Sequence, residues 1–207
     1  MNHRLLHRCA LAALAGVGLS IATILLMAAL RTDGYSHLTK AVSELGSVEA
    51  PRRGWFNALG YLLPGLGIAA GALALGRHLP GRRWPFGLLA GSGVLLALAG
   101  VFPVDMAHRS SPGSVLHAVG SLGSGACWLA CALTLAPALR PHPRWADLAR
   151  WLPWLPLLVF GLMLLVPAGM PGLTQRLSFA GYFLFVAVLA NRLRQLTQDP
   201  APGGVVG

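Results

Sequence analysis

The sequence predicts an all-α, polytopic integral membrane protein: a six-transmembrane-helix bundle with short loops. Three observations predict it. Six apolar stretches fill nearly all of the 207-residue chain, each close to the ~20 residues that a helix needs to cross about 30 Å of hydrocarbon. Hydrophobic residues make up 55% of the chain and charged residues only 11%, which suits lipid as the solvent. No segment between the stretches is long enough for a separate soluble domain, so residues 1–198 are expected to form one transmembrane domain. Residues 199–207, with Pro200, Pro202, Gly203 and Gly204, are expected to be a disordered tail.

The spans read in order as Cys9–Leu30, Trp55–Leu75, Phe86–Val104, Val115–Leu139, Leu152–Ala168 and Thr174–Arg192. The first follows Arg4 and Arg8, as a signal peptide would. Its apolar core exceeds the usual ~7–15 residues and no A-x-A site follows, so it reads as a retained anchor. Ser20 and Thr23 are its deepest polar residues and read as packing groups. Pro64 in the second span and Pro156 in the fifth predict kinks. Gly67 with Gly71, Gly87 with Gly91, and Gly120 with Ser124 are small residues four apart, which permits close helix approach. Cys9, Cys127 and Cys131 all lie inside spans, which argues against an extracytoplasmic disulfide framework. Cys127 and Cys131, one turn apart, read as small packing residues before they read as a soft-metal site.

Charge sets the expected orientation. Ten basic residues (Arg4, Arg8, Arg77, Arg82, Arg83, Arg140, Arg144, Arg150, Arg192 and Arg194) fall on the side of the termini. Six (Arg31, Lys40, Arg52, Arg53, Arg109 and Arg176) fall on the other. The positive-inside rule then puts both termini in the cytoplasm. Lys40 is the sole lysine among many arginines, a codon-usage hint of a GC-rich bacterial genome and so of a bacterial inner membrane. The net charge of +10 is scattered between spans with no basic face, which favours topology and anionic headgroups over nucleic acid.

Candidate functional residues cluster towards the outer side. In the fourth span Ser114, His117, Ser121, Ser124 and Trp128 follow one helical stripe. Serines alone would mean close packing; a histidine inside a span needs partners and usually faces the protein interior or a watery cavity. Asp105, in the short turn before that helix, is the expected partner of His117, able to fix its tautomer or raise its pKa. The first outer loop offers Ser43 and Glu44, and Asn57 opens the second helix. Ser43, Glu44, Asn57, Asp105, His117 and Ser121 are therefore the candidate binding residues, with His117, Asp105 and Ser43 as candidates for catalysis. No cofactor is expected. Zinc on His37, His108 and His117 is the one metal these residues suggest, and their spacing matches no strong zinc pattern.

The run Val42-Ser43-Glu44-Leu45-Gly46, then Pro51, Phe56-Asn57, the Phe102-Pro103-x-Asp105 turn and His117 resemble the bacterial six-span family called domain of unknown function 998. The resemblance covers nearly the whole chain; it implies a six-helix membrane fold and supplies no activity. Ser-Glu-Leu-Gly is also similar, more weakly, to the first-loop motif of DRAM-type eukaryotic membrane proteins, which by analogy suggests lipid-related or trafficking roles.

Two function classes follow. In one, the outer pocket binds a lipid headgroup, a small amphiphile or a partner protein. In the other, His117 and Asp105 serve an intramembrane lipid-modifying hydrolase or transferase. The second is somewhat like the seven-span ceramidase-type hydrolases, but the chain lacks an HxxxH pair and a G-x-S-x-G elbow. The expected partners are membrane lipids, with a membrane protein or a second copy of the chain as further candidates for the small-residue faces. Transport is disfavoured, because no charged residue sits near a span centre and no inverted repeat is evident.

Overall fold

A computed structural model describes residues 2–198; the tail expected to be disordered lies outside the described residues. The chain is an all-helical membrane bundle. Its helices are α1 (His3–Ala29), α2 (Arg53–His78), α3 (Trp84–Val101), α4 (Pro112–Leu139), α5 (Leu148–Leu164) and α6 (Pro171–Gln198). Among the described residues five of these are long and apolar enough to cross a membrane, and α5 is shorter. Successive helices from α1 to α4 pack side by side, α6 closes against α1, and α5 leans on both α4 and α6.

The helix ends follow local chemistry. α3 stops at Val101, not at Val104: Phe102 precedes Pro103 and is extended, as a residue before proline prefers. α4 begins at Pro112, earlier than expected. Ser111 is its N-cap, accepting from the Ser114 amide at 3.3 Å, and Pro112 occupies the first turn, where its missing N–H costs nothing. The expected span Leu152–Ala168 is displaced, because α5 starts at Leu148 and ends at Leu164. A tight turn over Leu152–Trp154 interrupts it beside Pro153 and Pro156, since each proline removes a helix hydrogen bond. At about 1.5 Å per residue α5 covers only about 25 Å.

Small residues set the helix spacing. A methyl on Gly67 would lie 2.5 Å from the Ala12 carbonyl oxygen, and one on Gly71 would lie 2.7 Å from Ala13 Cβ, so this pair seats α2 on α1. Gly120 meets the α3 backbone at Ala99 and Leu95 in the same way, while Ser124 reaches Ser92 by a 3.2 Å hydrogen bond. The Gly87–Gly91 pair does not do this. A methyl on Gly87 would meet open space, and the close crossing of α3 with α2 is made by Gly93 against Gly65. Pro64 follows a widened π turn over Asn57–Leu62. The Pro64 nitrogen cannot donate to the Gly60 carbonyl, and Ser20 of α1 donates to that oxygen at 2.7 Å instead. Fully buried Ser20 is thus both a packing group and a hydrogen-bond replacement.

The two ends of the bundle are held differently. At the end carrying the termini, Arg192 pairs with Asp147 at 2.6 Å, His142 meets the Pro80 carbonyl at 3.2 Å, and His7 meets Thr197 at 3.2 Å. At the distal end the first loop is folded down on the helices. Val48 N–H donates to the Val104 carbonyl at 2.9 Å, and Leu173 N–H to the Leu38 carbonyl at 3.0 Å.

Candidate functional site

The distal loop is built around Val42–Gly46, a single 3₁₀ turn. Glu44 accepts from the Ala41 amide at 2.9 Å and pairs with Lys40 at 3.6 Å, so its carboxylate caps its own turn. The amides of Val42 and Ser43 donate to Gln175 Oε1 of α6 at 2.6 and 3.2 Å. Asn57 Nδ2, from the first turns of α2, donates to the Gly46 carbonyl at 2.9 Å. Three polar side chains therefore fix this segment, and they leave Ser43 on the wall of an internal cavity.

His117 is buried, and its partners differ from the expected one. Its Nδ1 lies 2.9 Å from the Ala99 carbonyl and 3.0 Å from that of Phe102, at the end of α3. The last carbonyls of a helix lack intrahelical partners, and an imidazole N–H there shares itself between two of them. Asp105 does not orient His117. Its carboxylate accepts from the amides of Ala107 at 2.9 Å and His108 at 2.8 Å, and meets His108 Nδ1 at 3.3 Å. Those bonds, the His108 amide foremost, hold the Asp105 carboxyl below the ordinary carboxylate range. What ties this turn to α4 is Ser114: the Asp105 amide donates to its hydroxyl at 2.9 Å. The three candidate zinc histidines do not converge either, and among the described residues no group of three His, Cys, Asp or Glu side chains does.

The cavity lies between α4, α5 and α6 and encloses about 710 Å³. Ser43, Arg109, Thr174, Gln175, Ser178 and Ser121 line its distal part. Trp128, Phe160 and Tyr182 line the deeper part, with Ser124 beside them. Ser121 and Trp128 are two turns apart on α4, about 10 Å, so the lining grades from polar to aromatic over that depth. Tyr182 accepts from Ser92 at 2.8 Å, which satisfies its hydroxyl in the apolar interior. The Trp128 indole N–H is buried and has no partner among the described residues. α5 makes the cavity: it touches α4 mainly through its first turns and diverges towards Met163.

Of the sequence candidates, Ser43 and Ser121 line this cavity. Glu44, Asn57, Asp105 and His117 hold the surrounding backbone. Sequence reasoning missed Gln175, Ser178, Tyr182 and Tyr61, which reach the site from α6 and α2. A glutamine in the first turns of an apolar helix was the one available signal.

One family model, described as Protein of unknown function (DUF998), matches residues 14–192. The chain belongs to the DUF998 family. The match runs from the middle of α1 to the last turns of α6, so the six-helix unit is the DUF998 unit. No curated protein and no solved structure matches the chain.

Proposed function

We propose that this DUF998 protein resides in the bacterial cytoplasmic membrane with both termini in the cytoplasm, and that its cavity binds a lipid headgroup or small amphiphile from the outer leaflet. The observation that carries the reading is the graded lining: hydroxyl, amide and guanidinium groups at the distal end, and aromatic rings below. A pocket that is mostly apolar with a few convergent polar groups is the usual form of a small-molecule site. Exposed Leu122 and Ala126 leave a sideways route between α4 and α5 for a molecule arriving from lipid.

The alternative, a lipid-modifying hydrolase or transferase using His117 and Asp105, fits less well. The imidazole is committed to two backbone carbonyls and the carboxylate to its own turn, and both stand off the cavity wall. The test uses Gly125, which lines the cavity and where an added Cβ would meet open space. Gly125→Phe places a ring in the cavity from a position where the added Cβ meets no backbone. Native mass spectrometry of protein extracted in a mild detergent should find, on the wild type, a bound amphiphile that is missing from Gly125→Phe. The same set of bound amphiphiles on the two proteins would refute the reading.

A further inference from the structure

A second groove runs along the outside of the bundle between α1 and α6, separated from the cavity by Phe179, which lines both. Val17, Ile21 and Ile24 of α1 face Ala180, Phe183 and Ala187 of α6 across it, enclosing about 550 Å³. Its walls are aliphatic and aromatic throughout, and only its distal end is polar, where Arg176 and His37 stand.

The charge at that end is unbalanced. Arg31 pairs with Asp33 at the loop surface, and Lys40 pairs with Glu44. Arg176 pairs with no carboxylate among the described residues. It is held by neutral acceptors: the carbonyls of His37 at 2.7 Å, Gly172 at 3.1 Å and Lys40 at 3.2 Å, and the Tyr35 hydroxyl at 2.9 Å. Its guanidinium also stacks 5.7 Å from the centre of the Tyr35 ring, and its buried Nε–H has no partner among the described residues. A fixed cation that no carboxylate among the described residues neutralises therefore stands at one end of an apolar channel.

We propose that this groove seats an anionic phospholipid of the leaflet at the distal end, with one acyl chain along α1 and α6 and the phosphate at Arg176 and His37. Arg176 lies within the first two turns of α6, about 8 Å from its start, and from Arg176 to Ala187 the groove extends a further ~16 Å. An acyl chain fits that length and lining, and the unneutralised guanidinium supplies the complementary charge. The site is independent of the cavity and stands whether or not the cavity binds an amphiphile.

The test adds phosphatidylglycerol or phosphatidylcholine to detergent-purified protein and reads retained lipid by native mass spectrometry. The wild type should retain phosphatidylglycerol about fivefold better, the size expected of one basic charge facing an anionic headgroup. Ala180→Trp, on an exposed position of α6, should remove the groove-bound share of both lipids and with it the preference for phosphatidylglycerol. Arg176→Gln should keep the groove and lose the preference. Should Arg176→Gln fail to fold because the first loop is released, Ala180→Trp still decides. The cavity variant Gly125→Phe should retain phosphatidylglycerol as the wild type does. Equal retention of the two lipids by the wild type, full retention by Ala180→Trp, an unchanged preference in folded Arg176→Gln, or loss in Gly125→Phe would each overturn the proposal.

Discussion

Asn57 clamps Gly46. Its Nδ2 donates to the Gly46 carbonyl at 2.9 Å, and a methyl on Gly46 would fall 2.0 Å from its Oδ1. The Val42–Gly46 turn and the start of α2 therefore fit only while position 46 has no side chain. Gly46→Ala should lower stability by about 1–3 kcal/mol, the usual cost of forcing extra atoms into a packed site. Asn57→Ala should cost about as much by leaving the buried carbonyl unpaired. Thermal unfolding in detergent measures both, and the double variant should fall short of the sum, because the two changes damage one contact.

His117→Ala should destabilise the bundle by about 1–3 kcal/mol, because two carbonyls at the end of α3 lose their donor. Thermal unfolding of the purified variant checks this; a wild-type midpoint would show that the histidine is not a structural link.

Asp105 predicts an acid limb in the stability profile. Its carboxyl is held below the ordinary range by the His108 and Ala107 amides and the His108 ring. Its stabilising contribution is therefore present above the unfolded-state value of about 3.9 and is lost as pH falls through the lower folded-state value. The unfolding temperature of Asp105→Asn should fall less steeply on acidification than that of the wild type. Parallel curves would assign the acid sensitivity to Asp33 and Asp147, which are also depressed by their arginine partners.

Ser20 and Pro64 should behave as a coupled pair. Ser20→Ala leaves the Gly60 carbonyl without the donor that replaces the missing proline N–H, at about 1–3 kcal/mol. In a Pro64→Ala background a backbone N–H is available again, so the same change should cost measurably less. Additive effects would mean that the Ser20 bond is unrelated to the proline.

The crossings were legible in the sequence because lipid sets both the length and the composition of a spanning helix. α5 was misplaced because hydropathy counts Val166 and Ala168 as span while Pro153, Pro156 and Pro167 break the helix that would carry them. In the site, Ser43 and Ser121 were legible as polar residues in apolar surroundings. The Asp105–His117 pairing was misread because a short turn brings backbones together without aiming side chains, and an aspartate at a turn bonds the amides just after it. Gln175 and Tyr182 depend on how α6 packs, which no local pattern records.

The proposed orientation, with both termini in the cytoplasm, rests on the ten-to-six split of basic residues. A reporter active only in the cytoplasm should be active when fused after Gln198 and silent when fused after Arg53. The reverse pattern would invert the protein and place the distal cavity in the inner leaflet.

The occupied cavity can be tested in place by installing the photocrosslinker benzoylphenylalanine at Ser178, on the cavity wall. Leu164, 87% exposed at the end of α5, is the lipid-facing control. After irradiation in cells, mass spectrometry of the purified protein should find one discrete amphiphile on the Ser178 position. It should find a broad mixture of bulk lipids on the Leu164 position, and Gly125→Phe should remove only the former. The same bulk mixture at both positions, or a Ser178 adduct indifferent to Gly125→Phe, would contradict an amphiphile-binding cavity.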